Sequence, residues 1–250
     1  MKNEFDVSDL AWKTYRLMYK DNFPAEFQVL GDDDSRQRRC MIEKYANKGR
    51  TSASRLLFSG DTDFNFTKGF AHSRLENYRK WLSDVPKFRD MYQNHLTIME
   101  DLTYSVVNIS LMPQSGNLQG VKQGVGNDRM DTFIWALTAY YEGSANVLFN
   151  HASYENTEAL EDYLSMFENV YDYCQTVYHI NASLVDDLAA SGACPIRTPE
   201  EILRFMTLAI RFWRQKSSFL HEQLENCKRF PELEAALSAV DLKLAKFYQI

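Results

Sequence analysis

The chain has 250 residues and a net charge of −6, and its residues are 45% hydrophobic, 14% aromatic and 25% charged. This composition is typical of a globular protein, and a chain of this length folds without disulfides or metals as staples. The acidic balance excludes a protein that coats nucleic acid with its whole surface, because phosphate binding needs clustered cations. Residues 1–143 carry no net charge, so residues 144–250 hold the whole acidic excess.

The sequence lacks the marks of an exported or membrane protein. No apolar run opens the chain, and the longest uncharged stretch, residues 102–121, contains Asn, Gln, Ser, Pro and Gly. We therefore expect neither a secretory signal nor a membrane-spanning helix. The four cysteines form no C-x-x-C pair, and no histidine stands at zinc-ligand spacing from them. These features predict a cytoplasmic protein without a metal or another cofactor.

Apolar residues recur mostly three and four positions apart, which predicts an all-α fold of about eight or nine packed helices. We expect one domain over residues 1–250, with a subdivision into 1–143 and 144–250 as the alternative. The predicted helices cover residues 9–20, 32–48, 73–82, 86–108, 128–141, 157–180, 181–190, 199–227 and 231–247. Residues 49–63 and 110–127 are predicted as loops, and no alternating strand pattern of useful length occurs.

The second of these loops is the first candidate site. It holds four of the ten glycines, and Gly120, Gly124 and Gly126 precede a helix whose amides can hold an anion. However, the Gly-Lys-Ser/Thr ending of a phosphate loop is missing. Around the loop lies a polar set: Asn108, Asn117, Asn127, Asp128, Arg129 and Asp131. Asp128 and Asp131 lie three apart on one helix face, and such a carboxylate pair with an arginine is suited to acid–base chemistry or to a polar ligand. The favoured alternative is that Arg129 ties the loop to the next helix by bidentate hydrogen bonds.

Two shorter segments are weaker candidates. Asp61, Thr62 and Asp63 place two acids two residues apart, which can bind a hard cation but is more typical of a turn. Residues 36–50 carry six basic side chains and one acid, a pattern of either a nucleic-acid patch or a solvated helix face. None of the five histidines lies four residues from another, so metal catalysis has no support.

The distribution of charge gives a stronger signal. Between Arg129 and Arg197 the chain contains no Lys or Arg, but it contains ten Asp and Glu residues. Five of them fall near one stripe of the helix predicted from Thr157, namely Glu158, Glu161, Asp162, Glu168 and Asp172. Such a stripe creates a negative field that can steer a basic partner, whereas an ordinary solvated face usually mixes both signs.

Several short segments also carry a resemblance to a known family. They are Leu57-Phe58-Ser59-Gly60-Asp61-Thr62, Leu111-Met112-Pro113, Gly116-Asn117-Leu118, Asn127-Asp128-Arg129-Met130-Asp131 and Tyr140-Tyr141. Together they resemble a family of uncharacterised bacterial all-helical proteins, over about residues 8–142. The resemblance implies a helical fold and draws attention to Asp61, Thr62, Asn117, Arg129 and Asp131. It implies no catalytic role for any of them.

Two functions follow as hypotheses. In the first, the chain is a binding protein whose acidic helical surface, residues 155–187, engages a basic protein partner. In the second, it is an enzyme or a nucleic-acid-processing factor with a site at loop 110–131 and Asp61, guided by the basic segment. The second requires Asp61, Asn117, Arg129 and Asp131 to meet in a cleft, whereas the first requires them to be buried and hydrogen-bonded. A scaffold without any site is a third alternative.

Overall fold

The computed structural model describes residues 5–19, 27–30, 39–42, 57–66, 80, 84–113, 118, 121–122, 129–144, 146–149, 157–226 and 230–247. These residues form a 3₁₀ turn (Phe5–Val7), four strands and nine α-helices. The strands are β1 (Phe27–Leu30), β2 (Arg39–Ile42), β3 (Leu57–Thr62) and β4 (Ile109–Pro113). The helices are α1 (Asp9–Met18), α2 (Pro86–Thr103), α3 (Met130–Tyr141), α4 (Asn146–Phe149), α5 (Thr157–Leu164), α6 (Val170–Tyr178), α7 (Ala182–Gly192), α8 (Pro199–Glu225) and α9 (Pro231–Phe247).

The prediction of a mainly helical fold with about eight or nine helices is confirmed. Capping residues fix the starts of α1 and α8. Ser8 caps α1 by accepting a hydrogen bond from the backbone N–H of Ala11. Thr198 and Glu201 form a reciprocal capping box at the start of α8, and Pro199 is the first residue of the helix.

A four-stranded antiparallel sheet in the order β1-β2-β3-β4 is the feature that the sequence did not predict. Strand β2 lies inside the predicted basic helix 32–48, so that helix is wrong as predicted. Strand β3 replaces the end of the predicted loop 49–63, and β4 replaces the start of the predicted loop 110–127. All five residues of β4 are buried, which removes the polar alternation by which a half-exposed strand is recognised.

Two predicted helices are shorter or divided. The predicted helix 157–180 consists of α5 and α6, because Asn169 begins a new helix by accepting hydrogen bonds from the N–H groups of Tyr171 and Asp172. Helix α2 ends at Thr103, five residues before the predicted end at Asn108. The predicted helix 73–82 and the predicted glycine loop lie largely outside the described residues.

Helices cover strand β4, which is an edge strand of the sheet. Tyr19, just after α1, accepts a hydrogen bond from Leu111 N at 3.1 Å and donates one to Val177 O at 3.0 Å. This phenol therefore satisfies an outward-facing amide of β4 and ties the strand to α6. Residues from both halves of the chain contribute to the same hydrophobic core, with the fully buried Trp213 of α8 among the largest side chains.

Helix α7 packs most extensively against α3, and a glycine allows the close approach. A Cβ atom at Gly192 would lie 2.0 Å from the carbonyl oxygen of Asp131 and 2.3 Å from its carbonyl carbon. No side chain fits at that distance, so the two backbones are in direct contact.

We expect Gly192→Ala to lower the free energy of unfolding by at least about 1–3 kcal/mol, because the added methyl forces α7 away from α3. Urea unfolding followed by circular dichroism measures this loss. Ala190→Ser, at an exposed position of the same helix, should leave the urea midpoint nearly unchanged. An equal loss in both variants would show that the contact with Asp131 is not the cause.

Candidate functional site

Two lysine–aspartate ion pairs lie buried at the end of β3. Lys122 Nζ is 2.6 Å from Asp61 Oδ2, and Lys216 Nζ is 2.7 Å from Asp63 Oδ2. Both lysine side chains and Asp63 are fully buried, and Asp61 is 5% exposed. These acids are therefore neither at the surface nor open to a cation. The turn predicted at Asp61, Thr62 and Asp63 is wrong, because β3 continues to Thr62.

The ammonium group of Lys216 is fully engaged. Besides Asp63 it donates to Ile109 O at 2.6 Å and to Ser110 Oγ at 2.8 Å, both on β4. Burial lowers the pKa of Lys216, and the nearby Asp63 carboxylate counteracts that shift. Three acceptors for three N–H groups identify Lys216 as a structural clamp between α8 and the end of the sheet.

Lys122 makes the matching clamp on the other acid. It donates to the backbone carbonyls of Thr62 and, at 3.5 Å, of Asp63 in addition to its ion pair with Asp61. Thr62 thus takes part through its backbone. Neither of these lysines was singled out by the sequence, because nothing in the pattern around a lysine shows that it will be buried.

Gly60, the first residue of the Gly-Asp-Thr segment, leaves room for close packing against the N-terminal elements. A Cβ there would lie 2.2 Å from Asp6 O and 2.3 Å from Tyr15 Oη, so the 3₁₀ turn and α1 pack directly onto β3. The Tyr15 hydroxyl donates to Asp6 O at 3.0 Å. This motif therefore holds the N-terminal elements against the sheet.

A second cluster surrounds Asp131 at the start of α3. Arg129 forms a two-pronged contact with it, with Nη2 2.7 Å from Oδ2 and Nε 3.1 Å from Oδ1. Ser191 Oγ donates to Asp131 Oδ2 at 2.9 Å, and the Arg129 guanidinium also donates to Cys194 O. This agrees with the structural alternative from the sequence, a bidentate tie, although the tie reaches α7 and the residues after it.

The structure does not join these two clusters by a hydrogen bond among the described residues. Asp61 is engaged by Lys122, while Arg129 and Asp131 bind Ser191 and the backbone at Cys194. Three further members of the predicted polar set, Asn117, Asn127 and Asp128, lie outside the described residues.

The predicted acidic residues lie at the surface wherever the structure describes their side chains. Glu161 and Glu168 are exposed and Asp172 is partly exposed. Glu158 and Asp162 belong to α5, but their side chains lie outside the described part. The break between α5 and α6 means that these acids do not share one helix. Glu158, Glu161 and Asp162 belong to α5, Glu168 lies between the two helices, and Asp172 belongs to α6. Asp172 is also used locally, since it accepts hydrogen bonds from Glu168 N and Thr176 Oγ1.

An exposed tyrosine stands among these acids, and the sequence analysis missed it. Tyr171 is 42% exposed, and its hydroxyl donates to Asp186 Oδ1 at 2.8 Å. That hydrogen bond and the charges of Asp186 and Glu142 raise the pKa of Tyr171. Glu161 acts in the same direction on the pKa of Tyr140, after the larger effect of burial. We call this surface the Tyr171 face, and it comprises Glu142, Glu161, Glu168, Tyr171, Asp172 and Asp186.

A polar cleft of about 850 Å³ lies beside the Tyr171 face, between α6 and α8. Its walls are Asp172, Gln175 and Thr176 of α6 and Arg214, Gln215, Ser218, Phe219 and Glu222 of α8, and residues 179–182 line it between α6 and α7. His179 has a left-handed backbone conformation (φ 57°), and its ring stacks on Phe219 with centroids 3.7 Å apart. Burial and the charge of Lys216 lower the pKa of His179 to about 3.

Neither a metal centre nor a membrane span is found in the described part of the chain. Within those residues, no three His, Cys, Asp or Glu side chains cluster closely enough to hold a metal ion. No helix there combines the length and the apolar character that crossing a bilayer requires. In the comparisons with known proteins, no protein-family model, no curated protein and no solved structure matches the chain.

The buried clamp at Lys216 gives the next prediction. We expect Lys216→Met to cost about 3–5 kcal/mol of unfolding free energy, because it leaves the Asp63 carboxylate buried and unpaired. The double variant Lys216→Met/Asp63→Asn should recover a large part of that loss, since it removes the stranded charge. Urea unfolding measures both values.

An exposed ion pair provides the control for this experiment. Lys13 pairs with Glu232, and both side chains are two-fifths or more exposed. Lys13→Met should therefore cost no more than about 1 kcal/mol. If the Lys216 single and double variants lose the same free energy, an unpaired charge is not the reason.

The pKa of His179 predicts a pH dependence of stability. In the unfolded chain histidine protonates near pH 6.5, whereas in the folded chain His179 does so near pH 3. Between these values the unfolded state binds more protons, so the free energy of unfolding falls as the pH falls. His179→Asn tolerates the left-handed backbone and removes this contribution. Urea midpoints between pH 7.5 and pH 4 should fall less steeply for the variant, and parallel curves would contradict the prediction.

Proposed function

We propose that the chain is a cytoplasmic binding protein that docks a basic segment of a protein partner on the Tyr171 face. The observation that carries the proposal is an exposed aromatic ring that donates to Asp186 and lies in the field of Glu142, with further exposed carboxylates on neighbouring elements. Glu142 follows α3, Glu161 lies on α5 and Asp186 lies on α7. No Lys or Arg occurs in the sequence between residues 129 and 197 to neutralise them locally.

The chemistry of this face suits a cationic segment. Carboxylates attract Lys and Arg over several ångströms and so raise the rate of encounter. An exposed ring gives a guanidinium or ammonium group a surface for a cation–π contact. Tyrosine is also among the residues that most often dominate binding energy at protein interfaces. An aromatic centre within an acidic rim therefore supports protein docking better than a solvated helix face would.

The alternative of an enzyme or a nucleic-acid-processing factor has less support. Its proposed residues Asp61, Arg129 and Asp131 are held in ion pairs, and Asp61 and Asp131 are buried. The basic segment that was to guide the substrate contains strand β2 in place of a continuous helix. A nucleic-acid partner is thus not favoured, and the acidic face would repel one.

Binding of a fluorescein-labelled peptide rich in Arg and Lys tests the proposal. Fluorescence anisotropy at low and at high salt should show binding that weakens as salt is added. Glu161→Gln/Glu168→Gln and Tyr171→Ala should each weaken binding, the latter by about five- to thirty-fold as expected for an aromatic hot spot. Capture of a partner from a cell lysate with the same variants then tests whether a natural protein partner depends on the same side chains.

The chain offers a matched control for the charge change. Glu225 and Glu234 are exposed acids on α8 and α9, outside the Tyr171 face. Glu225→Gln/Glu234→Gln removes the same net charge and should leave peptide binding within about twofold. Equal weakening by both double variants would mean that only the total charge matters, and the proposed face would be wrong.

A further inference from the structure

The cleft between α6 and α8 offers mainly acceptors at its charged positions. Asp172 lies on one wall and Glu222 on the other, while Arg214 is the one cation among the described residues of the lining. Arg214 donates from Nη2 to Leu244 O of α9 at 3.3 Å, so it already has a partner on another helix. That bond leaves the charge of Arg214 in place, so the described lining holds two carboxylates against one guanidinium and is negative overall.

His179 adds an uncharged ring to this lining. Its ring interacts with the backbone of Gln175, and Nε2 has no hydrogen-bond partner among the described residues. Since burial keeps the imidazole uncharged at neutral pH, it does not repel a cation. The stacked rings of His179 and Phe219 also place aromatic surface at the lining.

The cleft and the Tyr171 face share a residue. Asp172 belongs to both, and on α6 it directly follows Tyr171. At 100° per residue the two side chains leave the helix on neighbouring sides, so a chain lying on the face passes the mouth of the cleft. A volume of about 850 Å³ is within the range of pockets that enclose ligands.

We propose that this cleft receives a cationic side chain, arginine or lysine, of the basic segment that docks on the Tyr171 face. The guanidinium or ammonium group lies between the carboxylates of Asp172 and Glu222, over the aromatic pair of His179 and Phe219. The inference rests on the proposed function, which it extends from a charged surface to a specific side-chain pocket. Steering by the face and selection by the cleft are then separate steps of one recognition event.

Agmatine, a small molecule with a guanidinium and an ammonium group, is the probe for the pocket by itself. Titration of isotope-labelled protein should shift the amide signals of Asn181 and Gln215 to saturation. Uncharged 1,4-butanediol should not shift them. Glu222→Gln should weaken agmatine binding about two- to fivefold, whereas Glu225→Gln, an exposed acid three residues further along α8 and outside the lining, should not. Absence of these shifts, or equal effects of both variants, overturns the proposal.

The labelled basic peptide separates the cleft from the face. If both proposals hold, Glu222→Gln weakens the peptide about as much as it weakens agmatine, and Glu161→Gln/Glu168→Gln weakens the peptide but not agmatine. If the peptide responds to the face variants but not to Glu222→Gln, the pocket is wrong and the face stands. If agmatine fills the cleft but the peptide does not bind, the proposed function fails and the pocket is no part of partner recognition.

Discussion

The ion pair between Lys216 and Asp63 is the constraint on which the rest of the arrangement depends. A lysine and an aspartate that are both fully buried are tolerated only while they remain together, since either alone leaves a charge without solvent. Lys216 also holds the first two residues of β4 through Ile109 O and Ser110 Oγ. Helix α8 is therefore fixed in rotation and in height against the sheet. With Lys216 turned inward, Gln215 and Phe219 lie at the cleft on another side of the same helix.

The Arg129–Asp131 cluster fixes α7 against α3, as Lys216 fixes α8 against the sheet. Its hydrogen bonds to Ser191 and to the backbone at Cys194, together with the contact at Gly192, set how α7 lies on α3. Asp186 is carried on α7, and Glu142 directly follows α3. The polar residues that looked like a candidate active site thus position the carboxylates of the Tyr171 face.

Helix α6 connects the two surfaces that we assign to binding. Its inner side packs on β4 and α3, with Tyr173, Cys174 and Val177 buried. Its outer side carries Tyr171 toward Asp186 and Asp172 toward the cleft. The helix begins anew at Asn169, which gives it a direction independent of α5. One short helix can therefore present an aromatic group to the face and a carboxylate to the cleft at the same time.

The sequence by itself determined the features that depend on residues close together in the chain, namely the long helices and the distribution of charge. Apolar residues at helical spacing predicted the long helices α2, α8 and α9, and the run without cations predicted an acidic surface. Only the tertiary structure decided what depends on partners far apart in sequence. Strands such as β4 are stabilised by distant chains and show no alternation when fully buried, and Lys216 meets Asp63 across 153 residues. Tyr171 became a candidate for the same reason, because the acids around it come from separate helices that only packing brings together.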